Sequence, residues 1–137
     1  MQYLACEKSK DGVLLAARIL MTALFITSGW GKLTGFAGTM QYMASVGAPL
    51  PQVAAGIAVI MEFGVGILLL VGFFTRPLAL LLALFTLGTA LIGHHFWNMT
   101  GAEHAMNMVQ FYKNMSIIGG LLALHVAGPG KYSIDRR

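Results

Sequence analysis

The chain has 137 residues, of which 57% are hydrophobic and only 10% charged, where a soluble domain is about 25% charged because water must wet its surface. With a mean hydropathy of +0.73, its solvent is lipid. One cysteine, Cys6, excludes an intramolecular disulfide, a CxxC dithiol and a thiolate-rich metal site; the net charge of +4 marks no nucleic-acid partner, since the basic residues flank apolar runs and form no stripe.

About 20 mostly apolar residues carry a helix across the hydrocarbon core. The first such run, VLLAARILMTALFITSGWG at 13–31, is long and contains Arg18, which predicts a retained anchor and not a cleaved signal. Next comes KLTGFAGTMQYMASVGAPLP, 32–51, where Phe36, Met40, Met43 and Val46 fall on one face at helical spacing before Gly47, Pro49 and Pro51 end the run. That pattern predicts a short amphipathic helix lying at the interface. The second span is 52–73; the tight FFTRP connection puts Pro77 in the first turn of the third, 77–97, and makes the two antiparallel neighbours. A fourth, 109–128, opens on Lys113 and Asn114, so it either starts later or buries them inside the bundle. Gly56, Gly64, Gly66, Gly88, Gly119 and Gly120 are expected to let helices approach closely. The predicted fold is all-α: one integral membrane four-helix bundle over 1–137, with the interfacial helix between spans one and two.

Four crossings put both termini on one side, with Lys8, Lys10, Arg76, Lys131, Arg136 and Arg137; only Lys32 and Lys113 lie opposite. The positive-inside rule makes the first side cytoplasmic and turns the HHFWNM stretch outward, toward the periplasm of a Gram-negative cell.

A charge inside a span costs at least about 2.5–3.5 kcal/mol, so each needs a partner or a purpose. At 1.5 Å per residue, Glu62 sits near mid-span, Arg18 about 6 Å to the cytoplasmic side, and Lys113 and His94 about 9–10 Å to the outer side. Glu62 is therefore the expected partner of Arg18 or Lys113. These groups either pair to hold the bundle together or line a pocket.

His94, His95 and His104 make a poor metal set: neighbours on a helix point about 100° apart, and no HExxH or cysteine accompanies them. No metal or haem is expected. Trp30, Tyr42, Phe96, Trp97, Phe111 and Tyr112 fall near the outer boundary, where aromatic belts form. Aromatics beside a histidine and a lysine also suit a flat lipophilic ligand with polar carbonyls, such as a quinone.

The stretches ARILMTALFITSGWGKLTGF, GTMQYMASVGAPLP, MEFGVGILLLVGFFTRPLAL, LGTALIGHHFW, FYKNMSIIGGLL and GPGKYSIDRR resemble the DoxX family of small four-span bacterial inner-membrane proteins, especially its enterobacterial members. The resemblance implies an inner-membrane, multi-pass protein. It also implies association with redox systems: relatives look like membrane subunits of sulfur-compound oxidation with quinone as acceptor, or are linked to thiol and superoxide defence. Its motifs carry Arg18, Lys32, Glu62, Lys113 and Asn114.

Three functions stay open. In a quinone-interacting subunit that docks a redox-protein partner, Glu62 relays protons, His94 or His95 bonds a quinone carbonyl, Lys113 stabilises charge on the reduced ring, and Trp97 with Tyr112 flank it. Arg18, Lys32 and Asn114 complete the candidate ligand-binding set. In a small-solute or proton transporter, the same groups line a path, in a homo-oligomer because four short spans make a narrow bundle. In a non-catalytic assembly factor, they confer specificity alone.

Overall fold

The computed structural model describes residues 2–136, with side chains from residue 7 onward; Arg137, counted above among the basic residues, lies outside them. All regular structure among the described residues is helical. In chain order it comprises α1 (Gln2–Thr34), α2 (Phe36–Ser45), α3 (Pro51–Val59), a π-helical segment (Ile60–Val65), α4 (Gly66–Val71), α5 (Thr75–Gly93), a 3-10 turn (Phe96–Asn98) and α6 (Gly101–Ala127). α3, the π segment and α4 form one rod.

Three stretches are long and apolar enough to cross a bilayer: Glu7–Thr34, Pro51–Val71 and Thr75–Asn98. α6, at 27 residues or about 40 Å, has the length, but His104, Asn107, Gln110, Lys113 and Asn114 make its first half too polar to qualify by composition. It starts at Gly101, eight residues ahead of the expected boundary at 109, because it packs along α5 instead of breaking at its polar residues.

The turns follow from local chemistry. Gly72 ends α4 in the left-handed region at φ 72°, and the bonds Gly72 N–H to Leu69 O and Phe73 N–H to Leu68 O make a Schellman motif. Phe74, at φ 49°, takes a conformation that a Cβ disfavours. Asp135 holds it there, accepting bonds from the N–H groups of Phe74 (3.1 Å) and Thr75 (2.9 Å) at the start of α5. The predicted amphipathic helix is α2: Phe36, Met40 and Met43, with Val46 just after it, are half-buried, as the spacing predicts, and Thr39 bonds the carbonyls of Lys32 and Gly35.

α5 and α6 run antiparallel, tied where His125 Nδ1 donates to Arg76 O (2.8 Å) and Arg76 Nη1 donates to His125 O and Val126 O. α1 packs on the π segment and α4. The crossing is closest at Gly29, where a Cβ would sit 2.8 Å from Phe63 Cβ and closer still to Phe63 N. Of the six glycines expected at crossings, only Gly66 (against Ile26) and Gly120 (against Met21) fill that role; Gly56, Gly64, Gly88 and Gly119 have nothing within 4 Å of a Cβ.

The two helical pairs join at one end only. There Leu69, Leu82 and Leu121 are fully buried, and the tail after Gly128 folds back: Lys131 N–H reaches Asp11, and Ile134 and Asp135 N–H reach Val71 and Gly72 O. Toward the α2 end the pairs diverge. Among the described residues, no Cα of α3 lies within 8 Å of one in α5 or α6.

Three outcomes are expected in thermal unfolding. Gly29→Val drives side-chain atoms into the Phe63 backbone and is expected to destabilise by about 1–3 kcal/mol, while Gly88→Ala, with open space around it, is expected to leave stability unchanged or raised. Asp135→Ala removes the acceptor at the start of α5 and is expected to cost about 0.5–2 kcal/mol.

Candidate functional site

Where the pairs diverge they enclose a cavity of about 570 Å³, within the usual range for a small-molecule site. Its floor is Glu62, 8% exposed, carried by the π segment. A π turn adds a residue to the helix and is frequent at functional sites; here it buries neighbours in sequence as pairs, Met61 with Glu62 and Val65 with Gly66.

Glu62 pairs with Lys32, Nζ to Oε2 at 2.8 Å, and the same ammonium donates to Ser28 Oγ at 2.6 Å. Ser28 and Lys32 stand four residues apart on one face of α1. The expected partners of Glu62 do not take this place. Arg18 is fully buried toward the tail end, where it donates to Leu70 O (2.7 Å) and to Tyr132 O, so it joins α1 to α4 and the tail and does not line the cavity. Lys113 lines the cavity from α6, with Gln110, Asn114 and Ile117 on the same face.

His94 also lines the cavity, but not on a helix: α5 stops at Gly93, and His94 and His95 are both non-helical, contrary to the expected adjacent helical pair. His94 Nδ1 lies 2.9 Å from Asn107 Oδ1, and Asn107 Nδ2 donates to Glu103 O at 3.0 Å. That second bond orients the amide with Oδ1 toward the ring, so Nδ1 is the donor of the pair. His95 turns away and donates to Ile92 O, and His104 to Phe96 O. Among the described residues, no three His, Cys, Asp or Glu side chains gather at one point.

Trp97 and Tyr112 lie outside the cavity, 56% and 60% exposed. They belong to an edge-to-face cluster with Phe96, Phe111 and His104 that fastens the 3-10 turn to α6. The residues that sequence reasoning missed are Ser28, Tyr42, Gln110, Thr86 and Thr89, all lining the cavity. Helical spacing from Lys32 and Lys113 gives Ser28 and Gln110; nothing local gives the rest. Partial burial pushes the Tyr42 phenol above its ordinary value, so it is a neutral hydroxyl at physiological pH.

The site therefore holds an ion pair on its floor, the His94 imidazole, and donors on Lys113, Gln110, Asn114 and Tyr42, between apolar walls. It is a dead end: toward the tail, Phe25 and Ile117 close it above the buried leucines.

An all-helical membrane protein with an interhelical polar cavity is the class that fold and site define. The DoxX family profile matches residues 13–95, more than half of the chain. Inner membrane protein YphA of Escherichia coli K12 is 52% identical over 137 residues, covering all of this chain and 98% of its own. Inner membrane protein YqjF of the same strain is 48% identical, over 95% of each. This chain belongs to the DoxX family and is a multi-pass protein of the bacterial inner membrane. No solved structure matches it.

Lys32→Met leaves the Glu62 carboxylate without its cation. The expected loss, read from thermal unfolding, lies between the about 1 kcal/mol of an exposed pair and the about 3–5 kcal/mol of a buried pair broken on one side. Replacing both, Lys32→Met with Glu62→Leu, is expected to restore most of it.

Proposed function

We propose that the protein is a quinone-interacting membrane subunit or partner of a redox system, and that the cavity above Glu62 is its quinone site. The observation that carries this reading is the convergence of Glu62, Lys32, His94, Lys113 and Asn114 on one apolar-walled cavity within a membrane protein. A quinone ring needs apolar faces and donors at its carbonyls. Lys113, Gln110, Asn114 and the Tyr42 hydroxyl are the donors at hand, and the lysine favours the negative charge that builds on a ring under reduction.

With Nδ1 bonded to Asn107, His94 keeps Nε2 for the ligand: in the proposed reaction it accepts from a quinol hydroxyl and takes its proton as the quinol is oxidised. Glu62, paired with Lys32 on the cavity floor, is the second proton carrier of this reading. Electrons pass to or from a partner protein. The closed tail end weighs against a solute path through a single chain.

The reading places four crossings in the membrane, α6 being the fourth because its polar residues face the cavity and its partner α5. It places both termini in the cytoplasm, with Lys8, Lys10, Arg76, Lys131 and Arg136 clustered at that end.

Protein purified from native membranes in mild detergent is expected to retain quinone, and added quinone to raise its melting temperature. Glu62→Gln and His94→Ala are expected to weaken binding at least tenfold while the folded protein stays in the membrane. Absence of both retained quinone and a thermal shift overturns the reading. For topology, alkaline phosphatase is expected to be active when fused within the 98–101 loop and inactive at the C-terminus; activity at the C-terminus overturns the orientation.

A further inference from the structure

The cavity has three sides on which it could open, and they differ in chemistry. On the water side, α2 and the following loop lie over it: Tyr42, Met43, Val46 and Ala48 line it from above. The Tyr42 hydroxyl reaches α5, lying 3.1 Å from where a Gly93 Cβ would stand. Between α1 and α6 the lining is polar, with Ser28, Lys32, Lys113 and Asn114. Between α3 and α5 it is apolar, with Val53, Ile57 and Ile92, all three well exposed.

Lining residues this exposed mark an opening; Leu24 and Lys113 are exposed as well, on the α1 and α6 side, but there the lining carries Ser28, Lys32, Lys113 and Asn114, whereas the α3–α5 opening is edged by aliphatic side chains. The gap between α3 and α5 follows from the divergence of the helices, which do not approach within 8 Å along α3. Ile57 stands six residues inside α3, about 9 Å below its first residue, so the gap faces hydrocarbon and not headgroups. Gly88, which also lines the cavity from α5, contributes no side chain to close it.

We infer that the cavity takes its ligand sideways from the bilayer, through the gap between α3 and α5. The ligand is accordingly an amphiphile, with a polar head on the Glu62 and Lys113 side and an apolar tail that remains among the lipid chains. The inference rests on reading the cavity as a ligand site, and it excludes water-soluble, tail-less molecules as natural occupants. The apolar edge meets the tail and the polar edge the head, so one orientation is favoured.

The first test needs no ligand. In a Cys6→Ser background, a nitroxide on Thr89→Cys, inside the cavity, is compared in liposomes with one on Leu84→Cys, which is exposed on α5 outside it. Molecular oxygen, which partitions into lipid, is expected to relax the Thr89 label within about twofold of the Leu84 label. A water-soluble nickel chelate is expected to affect both weakly. Relaxation of the Thr89 label mainly by the chelate, or by neither agent, overturns lateral opening.

The second test fills the gap. Gly88→Phe is free of clashes at its Cβ; it is expected to cut oxygen relaxation at Thr89 severalfold. Binding of a long-tailed quinone is expected to fall at least tenfold, with a tail-less quinone held as before. Equal retention of both overturns the inference, as does equal loss of both with the fold intact. If the unaltered protein binds neither quinone, the quinone reading fails, and the oxygen measurement still decides the opening.

Discussion

The ion pair between Lys32 and Glu62 is the interaction on which the site depends. A carboxylate at mid-span is costly in hydrocarbon, and it stays there because an ammonium from the next helix, itself held by Ser28, meets it at 2.8 Å. Neither group could stand alone. The π-helical turn and the glycine contact at Gly29 serve the same end, since the first carries Glu62 on a face turned to α1 and the second lets α1 come close enough to supply the lysine. A side chain at 29 would separate the helices at the level of the pair.

At the opposite end the constraint is the same and the solution is different. Arg18 gives its guanidinium protons to the carbonyls of Leu70 and Tyr132, which belong to a helix end and to the returning tail. The Leu70 carbonyl is among the ones a helix terminus leaves unsatisfied. The tail is thus part of the bundle's packing, and Asp135 on it accepts from the first N–H groups of α5. With that end closed and the other spread, Gln110, Lys113 and Asn114 of α6 come to line the cavity.

Much of this was legible in the residues. The apolar runs, the half-buried face of α2 and the Pro77 turn follow from spacing alone, and the membership in the DoxX family follows from motifs spread along the chain. Glu62 stood out as the one carboxylate placed in the core of a span. Its partner did not, for a geometric reason: ending the first span at Gly31 puts Lys32 in the headgroups, whereas α1 continues to Thr34 and keeps Lys32 in register with Phe25 and Ser28. The role of Arg18 depends on contacts 52 and 114 residues away, which no local pattern encodes. Likewise, the crowding of aromatics at 96–112 suggested a ligand clamp, but Trp97 and Tyr112 pack edge to face against their neighbours outside the cavity, and glycine content alone did not distinguish Gly29, at a crossing, from Gly88, beside open space.

The central claim is that an ionised Glu62 is held by Lys32 within the bilayer. Solid-state NMR on protein labelled at both side chains, reconstituted in native lipid, tests it most directly. The account expects strong dipolar coupling between the Lys32 ammonium nitrogen and the Glu62 carboxylate carbon, in keeping with the 2.8 Å contact, and a chemical shift typical of an ionised carboxylate. A neutral carboxyl signal with no coupling to Lys32 would contradict it.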